Sequence, residues 1–171
     1  MKIEVEETWD GMKQMLDGFK FIEGSAVYVG IPQKNSSRED NKTGVTNAEL
    51  LFIHTNGSPI NNVPARPVIE PAIEDDQERL TRMLTRSYLL AFSGRLQDAL
   101  LQLQKTGMRA QNVARNWFVN PKNGWPPNSP GVQAAKRKKG STNPRPLIDT
   151  GELRKSITYV VDSIFRGGSF D

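Results

Sequence analysis

Pro146-Leu147-Ile148-Asp149-Thr150-Gly151-Glu152-Leu153-Arg154-Lys155-Ser156-Ile157-Thr158-Tyr159-Val160-Val161 is the stretch on which the fold turns. Asp149 or Thr150 can cap a short helical turn through Arg154, with Gly151 permitting close backbone approach. Ile157 to Val161 then reads as a strand, being β-branched and aromatic. A matching strand lies near the other end, Ser25 to Ile31, stopped by Pro32. Two strands do not make an independently stable sheet. Either further short strands sit in the loops or a neighbouring subunit completes the sheet.

Helices fill most of the space between these strands. Val5, Trp9, Met12, Leu16 and Phe19 recur at steps of four and three. That predicts a helix over Val5 to Lys20 with this stripe inward and Glu6, Asp10, Lys13 and Asp17 outward. Gly24 stops it. Gln33 to Thr46 is polar and aperiodic, a loop. Asn47 is placed to cap a short helix, Ala48 to Asn56, which Gly57 can close in a left-handed conformation. Pro59, Pro64 and Pro67 make the next stretch extended. Pro71 suits the first turn of a long helix, acidic at its start and basic towards Ser93-Gly94, in keeping with the helix dipole. A second long helix is predicted from Arg95 to Phe118, with Leu96, Leu100, Leu103, Gly107, Ala110, Ala114 and Trp117 on one stripe. Pro121 to Pro146 reads as a mobile loop, and Gly167-Gly168-Ser169 marks a frayed tail over 166–171. The expected architecture is a single α+β domain over 1–171. It has a small antiparallel or mixed sheet packed against long helices, with a long Pro/Gly/Lys-rich loop.

Composition narrows the function classes. With no cysteine, disulfides, thiolate zinc sites and cysteine nucleophiles are excluded, and the single histidine leaves no multi-histidine metal cluster. No run reaches the roughly 18 apolar residues of a membrane span, and the opening Met1-Lys2-Ile3-Glu4 has no signal-peptide core, so cytoplasmic synthesis without membrane contact is expected. Residues 1–81 carry 8 Lys/Arg against 14 Asp/Glu, a net −6. Residues 82–155 carry 14 against 3, a net +11. The division suggests one acidic and one basic surface, or two solvated faces interleaved by folding.

Few residues offer chemistry. His54 has no local partners for catalysis or metal binding and is read as structural. Asp149-Thr150-Gly151 matches half of an aspartic-protease signature, but that reaction needs two carboxylates sharing a proton. Its charged flank, Glu152 to Lys155, suits a buried dyad poorly. Lys136, Arg137, Lys138 and Lys139 put four charges in a row where phosphate or a partner protein could meet them, unless the loop is merely solvated. Trp117, Phe118 and Trp125 lie upstream and could stack on bases, although Trp117 falls on the apolar stripe. Gly24, Gly30 and Gly57 form no phosphate-cradling spacing. No catalytic residue, cofactor or metal is expected.

Two segments carry a resemblance. Val63-Pro64-Ala65-Arg66-Pro67-Val68 and the pattern Leu147-Ile148-Asp149-Thr150-Gly151-x-Leu153-Arg154-x-Ser156-Ile157 are similar to motifs of the tail-completion and head–tail connector proteins of tailed bacteriophages. The likeness is sharp over the 26 residues 63–72 and 146–161 and loose over Ser25 to Val161. Ile53-His54-Thr55-Asn56-Gly57 also matches the short helix and glycine that precede Pro-Ala-Arg-Pro in that family. The resemblance implies a non-enzymatic α+β virion protein at the neck, assembled with copies of itself into a ring, six subunits favoured. Its partners would be other neck, portal-connector or tail-tube proteins, with non-specific contact to genomic DNA in the channel. It singles out Arg66 and Arg154 as structural guanidiniums, able to fork onto carboxylates or helix-end carbonyls. A tail terminator, or a basic nucleic-acid-binding phage accessory protein, is the alternative. The motif order departs from the common one, in which the Asp-x-Gly segment comes first; since chain ends often lie close together, a permuted order can keep the same packing.

Overall fold

A computed structural model of the chain describes residues 11–37, 44–141 and 143–163. The elements are α1 (Gly11–Glu23), β1 (Ser25–Gly30), α2 (Asn47–Asn56), α3 (Ile69–Asp75), α4 (Gln77–Phe92), α5 (Leu96–Trp117), α6 (Pro130–Lys138), α7 (Glu152–Ser156) and β2 (Thr158–Ser163). β1 and β2 form a two-stranded antiparallel sheet packed against long helices, an α+β fold. Among the described residues no third strand joins it, and no helix is long and apolar enough to cross a membrane.

The described residues divide into two compact units, 11–28, 78–107 and 161–163 in the first, and those from 29–77 and 108–160 in the second. In the first unit Phe21, Ala91, Ala99 and Leu103 form the core, with Val27 and Val161 packed against them. Ser87, wholly buried between helices, donates to the Ala99 carbonyl at 2.7 Å, which offsets the cost of burying its hydroxyl. The α5 stripe behaves as its spacing predicts: Leu103, Gly107, Ala110, Ala114 and Trp117 are buried.

α1 departs from expectation. Val5 and Trp9 lie outside the described residues, but Met12, Leu16 and Phe19 are exposed, while Gly11, Gly18 and Phe21 are buried and Asp17 half-buried. The inward face is chosen by close approach, not by apolar bulk. A Cβ on Gly18 would lie 2.5 Å from the Phe92 ring, and Gln14 Nε2 donates to the Phe92 carbonyl at 2.7 Å.

The second unit has its own core of Leu51, Val68, Ala72, Ala114, Trp117, Phe118, Leu153 and Ile157. α2 begins one residue earlier than expected. Thr46 is its cap, accepting from Glu49 N while Glu49 accepts from Thr46 N, a complete capping box. The helix expected from Glu70 to Ser93 is two. Asp76 breaks it, leaving helical geometry (φ −107, ψ 11) while its carboxylate takes two N–H groups of Arg109. The expected extended stretch after Gly57 starts as a tight turn, Pro59–Asn61, closed by a Ser58–Val63 bridge. Within the expected loop 121–146 lies a helix, α6, capped by Ser129 with Pro130 in its first turn. The expected tail 166–171 lies outside the described residues, as does 38–43 of the loop 33–46.

Folding interleaves the two charge halves. Counted over the described residues, the first unit carries 7 Lys/Arg and 5 Asp/Glu and the second 12 and 7, a net +2 and +5, so neither unit keeps the acidic excess of residues 1–81. Within the second unit, Asp75 and Asp76 from the acidic half pair with Lys122 and Arg109 from the basic half.

Candidate functional site: a cleft where the two motif segments meet

In the second unit the Pro64-to-Pro67 segment, α6 and the Asp149-to-Leu153 segment surround one open cleft of about 1060 Å³. Each wall is held by a cation spent on backbone.

Arg66 is 6% exposed, and Nε and Nη2 donate to the Pro126 carbonyl at 3.3 and 3.0 Å, with Nη2 also reaching Pro127 O at 3.3 Å. Burial lowers its pKa from the usual arginine value. Pro126 and Pro127 lie outside any helix or strand, so no ladder N–H meets their carbonyls, and a planar guanidinium serves both at once. Trp125 Nε1 donates to Pro67 O at 3.0 Å, and its ring stands edge-on to Phe118. Pro64 and Ala65 remain exposed on the cleft wall.

Arg154 is used in the same way. Its Nε donates to Arg115 O at 2.8 Å, near the α5 C-terminus, and its Nη2 to Asn116 Oδ1. Arg115 reciprocates, donating to Ile157 O and Lys155 O at 2.8 Å each. The pair laces α5 to the turn between α7 and β2, with positive charge at a helix C-terminus. Leu153 is core, and Ser156 Oγ donates to Leu153 O at 2.8 Å. The cap of α7 differs from expectation. Gly151 itself is the N-cap, left-handed at φ 82, and Thr150 Oγ1 lies 3.4 Å from Glu152 N.

Lys136, Arg137, Lys138 and Lys139 are not four equivalent loop charges. They lie at the end of α6, and Lys136 turns inward, its Nζ donating to Asn143 O (3.4 Å), Arg145 O (2.8 Å) and Ile148 O (2.6 Å). The other three are exposed, and Lys139 pairs with Asp149 at 3.5 Å. The aromatic residues give no stacking platform beside them, since Trp117 and Phe118 are core and Trp125 is engaged as above.

His54 lines the cleft, and its carbonyl accepts from Arg66 N at 2.6 Å. Burial and then the Arg66 charge hold its imidazole below the usual histidine pKa. Nδ1 is buried without a partner, as is Glu152 Oε2 on the opposite segment. Gly57 fixes the entry to the Pro-Ala-Arg-Pro segment at φ 74 and ψ 176, a region other residues avoid, and a Cβ there would lie 2.8 Å from Ala65 N.

Sequence reasoning read Lys136 as outward-facing, and it missed Arg115 and α6, whereas the helix-end carbonyl expected for Arg154 is the Arg115 O it meets. Only α6 had an available signal, Ser129 followed by Pro130 as cap and first turn. Among the described residues no cluster of histidine, aspartate and glutamate is arranged for a metal ion. Comparison of the chain with protein-family models, curated proteins and solved structures returns no match.

Proposed function

We propose that the chain is a structural virion protein of the tailed-phage neck, forming a ring, six subunits favoured, that completes the tail and joins it to the head around the DNA channel. The observation that carries this reading is the convergence of the two motif segments on one cleft. They are far apart in sequence, yet Arg66, Lys136 and Arg154 pin the backbone around a single open surface. Pre-organised walls with exposed Pro64, Ala65, Asp149 and Thr150 suit docking of a protein segment. Neighbouring partners would be portal-connector or tail-tube proteins, and the alternative within the virion makes this chain the tail terminator itself. Genomic DNA would be touched without sequence preference.

Deleting the gene tests this. Filled heads beside separate or unfinished tails, with DNA replication intact, are expected. Normal infectious particles would contradict it. Steeply salt-dependent binding to random DNA, with particle assembly unimpaired, would favour the accessory nucleic-acid-binding alternative.

A further inference from the structure

We infer that Arg66 and His54 form a carboxylate-binding site in the cleft of the second unit, one that takes the carboxylate of a docked protein segment. The inference rests on the docking reading of the cleft given above, and not on the ring. Arg66 is a buried cation with no carboxylate in ion-pairing reach among the described residues. Nε and Nη2 are spent on the Pro126 and Pro127 carbonyls, which leaves both N–H groups of Nη1 unpaired. Nη1 is not sealed from solvent, and the open space that Arg66 meets is the cleft. Carbonyls satisfy donors without cancelling a charge, so a desolvated guanidinium placed this way favours an anion beside it.

His54 supplies the second donor. Its Nδ1 is buried without a partner, whereas Nε2 is neither paired nor sealed off. A neutral imidazole carries one ring proton. On Nδ1 that proton would make a buried orphan N–H; on Nε2 it leaves only a lone pair unmet and offers an N–H to the cleft. The imidazole is held neutral, since burial and the Arg66 charge both lower its pKa. Arg66 N donates to His54 O at 2.6 Å, so the two side chains branch from backbone that is tied together.

The mixed charge of the cleft limits what it takes. Arg66, Lys136 and Lys139 stand against Asp149 and Glu152, three cations to two anions and a net +1. Lys139 and Asp149 are paired at 3.5 Å, and Lys136 is enclosed by three carbonyls, so Arg66 is the buried cation with donors to spare. Such a balance suits a single carboxylate and opposes a run of phosphates. Val63, Pro64, Val132 and Leu147 give the apolar neighbours of that carboxylate a surface to lie on.

His54 is the chain's single histidine, so its ring nitrogens are a reporter inside the site. In the isotope-labelled full chain, nuclear magnetic resonance should find the proton on Nε2, and the peptide acetyl-Leu-Asp-Leu-amide should shift the Nε2 signal saturably. Acetyl-Leu-Asn-Leu-amide, which lacks the charge, should bind about tenfold more weakly. N-acetyl-leucine separates the two sources of a carboxylate: a tighter response to it than to the aspartate peptide assigns the ligand to a chain end, the reverse to a side chain. Arg66→Gln should erase the difference between the aspartate and asparagine peptides. Where that variant fails to fold, Glu152→Gln serves instead, and removing its like charge should tighten the aspartate peptide about two- to threefold; looser binding there would overturn the site. Equal binding of the two peptides to the unaltered chain, or a proton on Nδ1, would overturn it too. A shift produced by inorganic phosphate and a short DNA duplex, but not by the aspartate peptide, would assign the cleft to nucleic acid and end the carboxylate reading. If no probe binds, the site falls, and the deletion phenotype decides the neck reading separately.

Discussion

Lys136 shows how one side chain can reverse the meaning of a motif. In the sequence it is the first of four consecutive cations; in the fold it is a loop clamp, holding three carbonyls between Asn143 and Ile148. Lys136→Met should cost about 1–2 kcal/mol, since it strands part-buried acceptors, whereas Arg137→Ser and Lys138→Ser should stay within about 0.5 kcal/mol. Urea unfolding of the three variants checks this, and equal effects would count against it. The difference was not legible beforehand, because contacts seven to twelve residues away decide which lysine turns inward. His54 gives a second residue-scale prediction. Its folded pKa is depressed by burial and by Arg66, so the unfolded chain binds the proton first. Stability is therefore full above the ordinary value of 6.5 and falls as pH drops from there towards the depressed folded pKa. Thermal midpoints between pH 7.5 and 5.5 should decline, and His54→Gln should flatten the decline. A slope unchanged by that substitution would remove the histidine from the account.

At the scale of elements, periodic helices were the legible part and special backbone geometry was not. The α5 stripe from Leu103 to Trp117 is buried as its spacing requires, and both strands fall within two residues of expectation at each end. α1 failed the same test, because Gly18 lets Phe92 approach and turns the apolar stripe outward. Periodicity reports that a stripe exists, not which partner covers it. The break at Asp76 was hidden for a similar reason, since its cause is Arg109 on a different helix. Gly57 was readable as a helix stop, but not as the spacer that lets Ala65 and Val63 pass close by. Gly57→Ala should cost about 2–4 kcal/mol, from the positive φ and from backbone contacts under 3 Å that cannot move aside. Hydrogen exchange should show the loss centred on 54–66. A cost under about 1 kcal/mol would mean the turn relaxes freely.

For the whole molecule, the charge division along the chain left two readings open, and the fold takes the interleaved one. Residues 1–81 and 82–155 carry −6 and +11, yet the described residues of the compact units carry +2 and +5, because each unit draws on both stretches. Charge is therefore mixed locally, as in the cleft, where Arg66, Lys136 and Lys139 stand beside Asp149 and Glu152. The α+β class was legible because two β-rich segments bracket long amphipathic helices. The cleft was legible only as two separate motifs, since nothing in sequence order says that residues 64–67 and 149–153 share a site with α6. Locating this chain in intact particles by electron cryomicroscopy tests the central claim most directly. A closed ring of this fold at the head–tail junction, surrounding the channel, is the predicted result; particles that contain no copy of the chain, or hold it away from that junction, would contradict it.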